Sequence, residues 1–289
     1  MKKLIGILLT ATFLAACGGG SSSSSTPNPA VPTRLVGEIV SSASEFATSE
    51  LKINAGYAGN LPTSRAIQAS GRTNLLDLLF MSSITDALGN LRSALPADAE
   101  KKLVQYASDN KDLLVPGIRL LVTDEVFWTP SDLADNVASL ERQLSALKAA
   151  IALVRKHIPQ ASIGITVTPY AAQGRPNTLA YSLKAVALVD WVGTDPYWLG
   201  DPSNIQYLHS WSRTFNSLAK QANPAVETWF IAQAFKFAAW DLPAFNSFTT
   251  EQLGYADQYD RILFFGWQYV SEIDSSTAGK FFSGETKAL

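Results

Sequence analysis

The chain has 289 residues, a formal net charge of −2, two histidines and a single cysteine. That charge leaves no basic footprint, so nucleic acid is not an expected partner. One cysteine excludes an internal disulfide and a Cys-ligated zinc site.

The first elements concern export. Lys2 and Lys3 precede an apolar stretch from Leu4 to Ala16, shorter than the ~20 residues that span a bilayer. It ends in Leu14-Ala15-Ala16-Cys17, which resembles the lipobox of bacterial lipoproteins. That resemblance implies removal of residues 1–16, acylation of Cys17 and a membrane partner through the lipid anchor. It also places the protein in the cell envelope, and Gly18 after the Cys implies outer-membrane sorting. An ordinary cleaved signal with a chance Cys is the plainer alternative. Gly18 to Pro29 holds only Gly, Ser, Thr, Pro and Asn, so residues 17–32 read as a flexible tether. Residues 33–289, about 260 of them, suffice for one large domain.

Within that domain, apolar runs alternate with helical stretches. Residues 34–40, 51–57 and 75–81 are candidate strands one to three, with a helix over Pro96–Ser108 before the fourth. "IRLLVTDEV" (118–126), "IGITVTPY" (163–170), "DWVGTDPYW" (190–198), "ETWFIAQAF" (227–235) and "RILFFGWQY" (261–269) complete a set of eight. Leu133, Val137, Leu140, Leu144, Leu147 and Ile151 recur at helical spacing over Ser131–His157, with Ser131 as N-cap and Pro159 as stop. Further helices are expected over 177–187 and 204–222. Apolar strands alternating with helices imply a parallel sheet covered on both faces. The expected fold is an α/β single-domain (β/α)₈ TIM barrel, with a doubly wound open parallel sheet as the alternative.

In such a barrel the chemistry sits at the C-terminal strand ends, and alternation decides which side chains face the axis. With Glu125 inward, Thr123 is inward too, and Asp124 points toward the helices. The same parity selects Thr166, Thr168 and Tyr170, then Asp195 and Tyr197, Gln233 and Phe235, and Trp267 and Tyr269. Trp128 and Trp198 lie just beyond. Aromatic faces among carboxylates and amides suit sugar rings, so the expected ligand is a polysaccharide or oligosaccharide. The histidines, His157 and His209, are far apart and match no metal-binding spacing, and no nucleotide-binding or serine-esterase motif occurs. No metal and no cofactor are therefore expected.

Glu125 on the fourth strand, Asp195-Pro196-Tyr197 on the sixth, Gln233 on the seventh and Gly266-Trp267 on the eighth resemble barrel glycoside hydrolases. The resemblance spans roughly Ile118 to Tyr269. It implies two carboxyl groups flanking a glycosidic bond, one giving a proton and the other attacking or activating water. Glu125 matches the acid/base of the superfamily that pairs glutamates on strands four and seven, but Gln233 stands where its nucleophile belongs. The chitinase-like D-x-D-x-E pattern is also absent, since Thr123 and Leu121 precede Glu125 on its face. Pairing across strands four and six joins Glu125 or Asp124 to Asp195. Strand ends two apart lie ~9–10 Å from each other, which leaves retaining and inverting outcomes both open.

The reading is therefore an exported, lipid-anchored, glycoside-hydrolase-like protein. Glu125 is its candidate acid, Asp195 the partner and Asp124 a supporting carboxylate. Tyr170, Tyr197, Trp198, Gln233, Trp267, Tyr269 and Trp128 are the candidate sugar contacts. Plainer roles compete: Glu125 could cap a helix or pair with Arg119 or Arg142, Asp195-Pro196 could be a turn, and Glu272 or Asp274 could replace Asp195. A non-catalytic carbohydrate-binding barrel and a structural lipoprotein of a surface assembly are the alternative functions.

Overall fold

The computed structural model describes residues 36–40, 55–58, 60–78, 94–127, 135–172, 174–197, 205–233, 251–252 and 254–265. Within them the strands are β1 (Val36–Val40), β2 (Ala55–Ala58), β3 (Thr73–Asp77), β4 (Arg119–Thr123), β5 (Ser162–Val167), β6 (Trp191–Thr194), β7 (Glu227–Gln233) and β8 (Arg261–Phe265). The helices are α1 (Leu61–Ala69), α2 (Ala99–Asp109), α3 (Val137–His157), α4 (Pro169–Ala172), α5 (Pro176–Val186) and α6 (Ile205–Ala222).

Every strand pairs in parallel with its sequence neighbour, and β8 returns to β1 with Val36 level with Ile262. The sheet is a closed (β/α)₈ barrel, which rules out the open doubly wound sheet. Closure also leaves no unpaired edge.

The strand cores divide their side chains between two packed layers, as a period of two requires. Leu120, Val122, Ile163, Ile165 and Val192 face outward onto Leu140, Leu144, Leu147 and Ile151 of α3 and its neighbours. Ala55, Leu75, Leu121, Trp191, Trp229, Ile231 and Leu263 fill the barrel interior. Glycine matters in two places. A Cβ on Gly164 would stand 2.0 Å from the Trp191 indole, and one on Gly193 would stand 2.9 Å from Ile231 Cδ1. Bare backbone on β5 thus makes room for the Trp191 that plugs the barrel, and bare backbone on β6 makes room for Ile231.

The N-terminal end of the barrel is closed by ions. Glu227 takes Arg119 Nε at 3.1 Å, Arg261 at 3.2 Å and the Trp229 indole N–H at 2.7 Å. Arg119 is therefore engaged at the end opposite the site and is not the partner of Glu125.

Local signals explain several departures from the expected elements. The helix α1 was not anticipated, although Asn60 caps it by accepting the Thr63 N–H at 2.9 Å and Pro62 sits in its first turn. Asn and early Pro are strong N-terminal signals. The long helix α3 starts at Val137 rather than near Ser131. Its cap is Asn136, whose side chain accepts from Ser139 N at 3.0 Å. The third strand begins two residues earlier than expected, at Thr73 against 75, and ends at Asp77. The fifth ends at Val167, so Tyr170 lies in the short helix α4 rather than on a strand end.

Candidate active site

The C-terminal end of β4 departs from regular alternation, and that departure builds the site. Leu121 is level with Gly164 of β5, but Thr123 is level with Ile165, so β4 carries one extra residue there. An inserted residue moves everything after it to the opposite face. Ile165 belongs to the outer layer, and Asp124 comes level with inward-facing Thr166. The Thr166 hydroxyl donates to Asp124 Oδ1. The parity that sent Asp124 toward the helices is thus corrected by the bulge.

The chain then turns sharply. Glu125 has φ 44° and Phe127 φ 63°, left-handed values that cost a non-glycine residue of order 1–3 kcal/mol each. Cross-strand bonds hold the turn: Glu125 N–H donates to Thr166 Oγ1 at 2.6 Å, and Val126 N–H to Thr166 O at 3.0 Å. Val126 and Phe127 are buried beneath it. The turn leaves Asp124 and Glu125, adjacent in sequence, both half-buried and both serving one cluster.

Asp195 joins them from just beyond β6. It is 4% exposed, and its carboxyl stands beside that of Glu125, close enough for each to act on the other. Two carboxylates this close repel, which favours keeping one of them protonated. Burial pushes the Asp195 carboxyl well above its ordinary range, and the charges of Glu125 and Asp124 push it further. Glu125 is raised by burial first and by Asp124 second, while Asp195 acts the other way. Asp195 is the more deeply enclosed of the two, so a proton held between the pair is favoured on it. Its Oδ1 is buried without a hydrogen-bond partner.

Two residues that the sequence did not single out complete the cluster. The Tyr57 hydroxyl donates to Asp77 Oδ2 at 2.6 Å, and both stand at the ends of β2 and β3. Burial and the Asp77 charge raise the Tyr57 phenol well above its usual range, so it is a neutral donor. Asp77 also raises Asp124, after burial, while Thr166 and the Glu125 N–H pull it back. The readable signal was an acid inside the apolar run "NLLDLL". Tyr197, half-buried, leans on Phe265 with ring centroids 5.7 Å apart. Burial, then Asp195, Asp124 and Glu125, keep its phenol protonated.

Gln233 ends β7 and is fully buried. Gln252 fixes its backbone from both sides, accepting from Gln233 N at 2.8 Å and donating to Gln233 O at 2.9 Å. Asp124, Glu125, Asp195, Tyr197 and Gln233 therefore share the C-terminal end of the barrel. Trp128, Trp198, Trp267, Tyr269 and Cys17 lie outside the described residues, as does the side chain of Tyr170. His209, on α6, is fully buried against Tyr255 and takes no part in this cluster. Among the described residues no group of three His, Cys, Asp or Glu is placed to hold a metal ion.

No family model matches the chain, and no curated protein sequence matches it. Solved structures do. A fungal β-1,4-galactanase superposes with TM-score 0.53 at 13% identity, covering 84% of this chain and 92% of its own. A thermostable mutant of a xylanase from Cellvibrio japonicus gives 0.51 at 10%, covering 84% and 90%. A β-glucuronidase from Bacteroides uniformis gives 0.55 at 11% over 81% of this chain, which spans only 30% of that enzyme. The fold shared with these structures is the (β/α)₈ barrel.

Proposed function

We propose that this protein hydrolyses glycosidic bonds of a polysaccharide, using Glu125 and Asp195 as its two carboxyl groups. The observation that carries the reading is this pair of adjoining carboxyls, both raised by burial, at the C-terminal end of a barrel of glycoside-hydrolase fold. The deeply buried group is pushed well above the ordinary carboxylate range, the direction a general acid needs. This reverses the roles expected from sequence: Asp195 is the acid and Glu125 the ionised partner. Asp195 gives its proton to the glycosidic oxygen as the bond to the anomeric carbon breaks. The Glu125 carboxylate attacks that carbon, and water then releases the sugar with the proton returning to Asp195. Asp124 and the Tyr57–Asp77 pair surround the reacting groups, and Tyr197, Gln233, Tyr170, Trp198, Trp267, Tyr269 and Trp128 are the proposed sugar contacts.

The proposal extends to location. The Leu14-Ala15-Ala16-Cys17 sequence supports a lipid-anchored protein of the cell envelope acting on an envelope polysaccharide or exopolysaccharide. A second reading, a non-catalytic carbohydrate-binding barrel, is favoured by one observation: the neutral amide of Gln233 at the end of β7.

The test uses the chain from about residue 33 onward, incubated with a panel of envelope polysaccharides and exopolysaccharides. Released reducing ends and retained polymer are both measured. Cleavage lost in Glu125→Gln and in Asp195→Asn supports the hydrolase. Retention without cleavage, unaffected by either substitution, supports the binding barrel and sinks the hydrolase.

A further inference from the structure

We infer that Thr166 is the positioning residue of this site, the group that sets both the place and the charge of the β4 carboxylates. The inference rests on the reading of Asp124 and Glu125 as site residues, but its test does not require a substrate.

The argument starts with conformation. The bulge between Leu121 and Thr123 and the φ of 44° at Glu125 are both unfavourable on their own. Surrounding contacts must hold them, and in the described structure those contacts converge on one residue. Thr166 offers its hydroxyl oxygen to Glu125 N–H, its carbonyl to Val126 N–H and its hydroxyl proton to Asp124. A hydroxyl suits this position because it donates and accepts at once. A carboxylate neighbour could not donate to Asp124, and an amine could not accept from Glu125.

Its orientation is fixed from the far side. Thr166 is 2% exposed and level with Gly193 of β6. A Cβ on Gly193 would lie 3.3 Å from Thr166 Cγ2, so the methyl packs over the bare glycine backbone. A β-branched side chain has little rotamer freedom to begin with. With the methyl seated on β6, the hydroxyl is aimed at β4. Gly193 on β6, Thr166 on β5 and Asp124-Glu125 at the end of β4 thus form one mechanical chain, starting on the strand that also carries Asp195 just beyond its end.

The electrical consequence is separate. Asp124 is raised by burial and by Asp77, and the Thr166 bond is the first influence opposing them. Thr166 pulls Asp124 back toward ionisation, and the charge of Asp124 in turn pushes Asp195 up.

The experiment is a carboxyl ¹³C NMR titration of Asp124 in the isotopically labelled protein, comparing wild type, Thr166→Val and Thr166→Ser. Thr166→Val keeps the shape and removes the hydroxyl, so Asp124 should titrate at higher pH. Thr166→Ser restores the hydroxyl and should return the titration to its wild-type position. Should Thr166→Val fail to fold, Thr166→Ala removes the same hydroxyl, and the same upward movement is required of it. On a cleaved polymer the Val variant should lose about a hundredfold in kcat, with the limb of the pH profile moved and the Ser variant largely recovered. An Asp124 titration indifferent to the hydroxyl would overturn the assignment. Absence of cleavage in the wild type would count against the proposed function and leave the titration result intact.

Discussion

The carboxyls of Glu125 and Asp195 act on each other although their strands, β4 and β6, are separated by β5. Strand spacing puts such ends ~9–10 Å apart, and the two side chains reach toward each other across that gap. Just beyond β4 the backbone makes the left-handed turn at Glu125. Just beyond β6 it makes a tight turn in which Tyr197 N–H donates to Asp195 O at 2.8 Å. Two loops therefore present the pair.

Stability should reveal the cost of that pair. Asp195 holds a proton in the folded state that the unfolded chain releases in the ordinary carboxylate range. A raised folded pKa means the folded state binds more protons, so stability declines as pH rises through that pKa. Asp195→Asn carries no such dependence. It should match wild type near pH 4 and exceed it by about 1–2 kcal/mol near pH 8, measured by denaturant unfolding. Equal slopes with pH would count against a buried, protonated Asp195.

The barrel plug makes an asymmetric prediction about two glycines. Gly164→Ala drives a methyl into the rigid Trp191 indole at 2.0 Å, an overpacking that should destabilise by about 3 kcal/mol or more. Gly193→Ala meets the flexible end of Ile231 at 2.9 Å and the Thr166 methyl at 3.3 Å and should cost about 1 kcal/mol. Thermal unfolding of both variants ranks them, and the reverse order would refute this packing.

Gln252 is the support of the β7 end. Gln252→Ala leaves the buried Gln233 N–H and C=O without their partner, at about 1–3 kcal/mol for each orphaned group. A loss of about 2–4 kcal/mol is expected in chemical denaturation. Faster amide exchange at Gln233 should accompany it.

The far end of the barrel offers a control. Glu227→Gln leaves Arg119 and Arg261, only 17% and 25% exposed, without their counter-charge. Breaking a mostly buried pair this way costs about 3 kcal/mol. Because the network lies at the opposite end from Glu125, the titration of Asp124 should be unaffected. A moved titration would mean the two ends are coupled through the Trp191–Trp229 plug.

Much of this architecture is legible in the sequence. The five strands from β4 to β8 are apolar runs that stop at polar or Gly-Pro breaks, and that pattern reflects burial on both faces. Asp195 and Gln233 follow from simple alternation. The position of Asp124 does not, because the bulge that turns it inward depends on Thr166, 42 residues away in sequence. Tyr57 and Asp77 escaped notice because each is a lone polar residue in an apolar stretch, meaningful only once β2 and β3 are neighbours. The helix α1 was overlooked although Asn60 and Pro62 mark its start, since it is only nine residues long.

The most direct measurement of the account is the carboxyl titration of Glu125 and Asp195 themselves, followed by ¹³C NMR in the intact barrel. The adjoining pair predicts that Asp195 stays protonated well above the ordinary carboxylate range, that Glu125 loses its proton first, and that Glu125→Gln alters the Asp195 titration. Independent titrations of both groups near their ordinary values, each blind to substitution of the other, would contradict it.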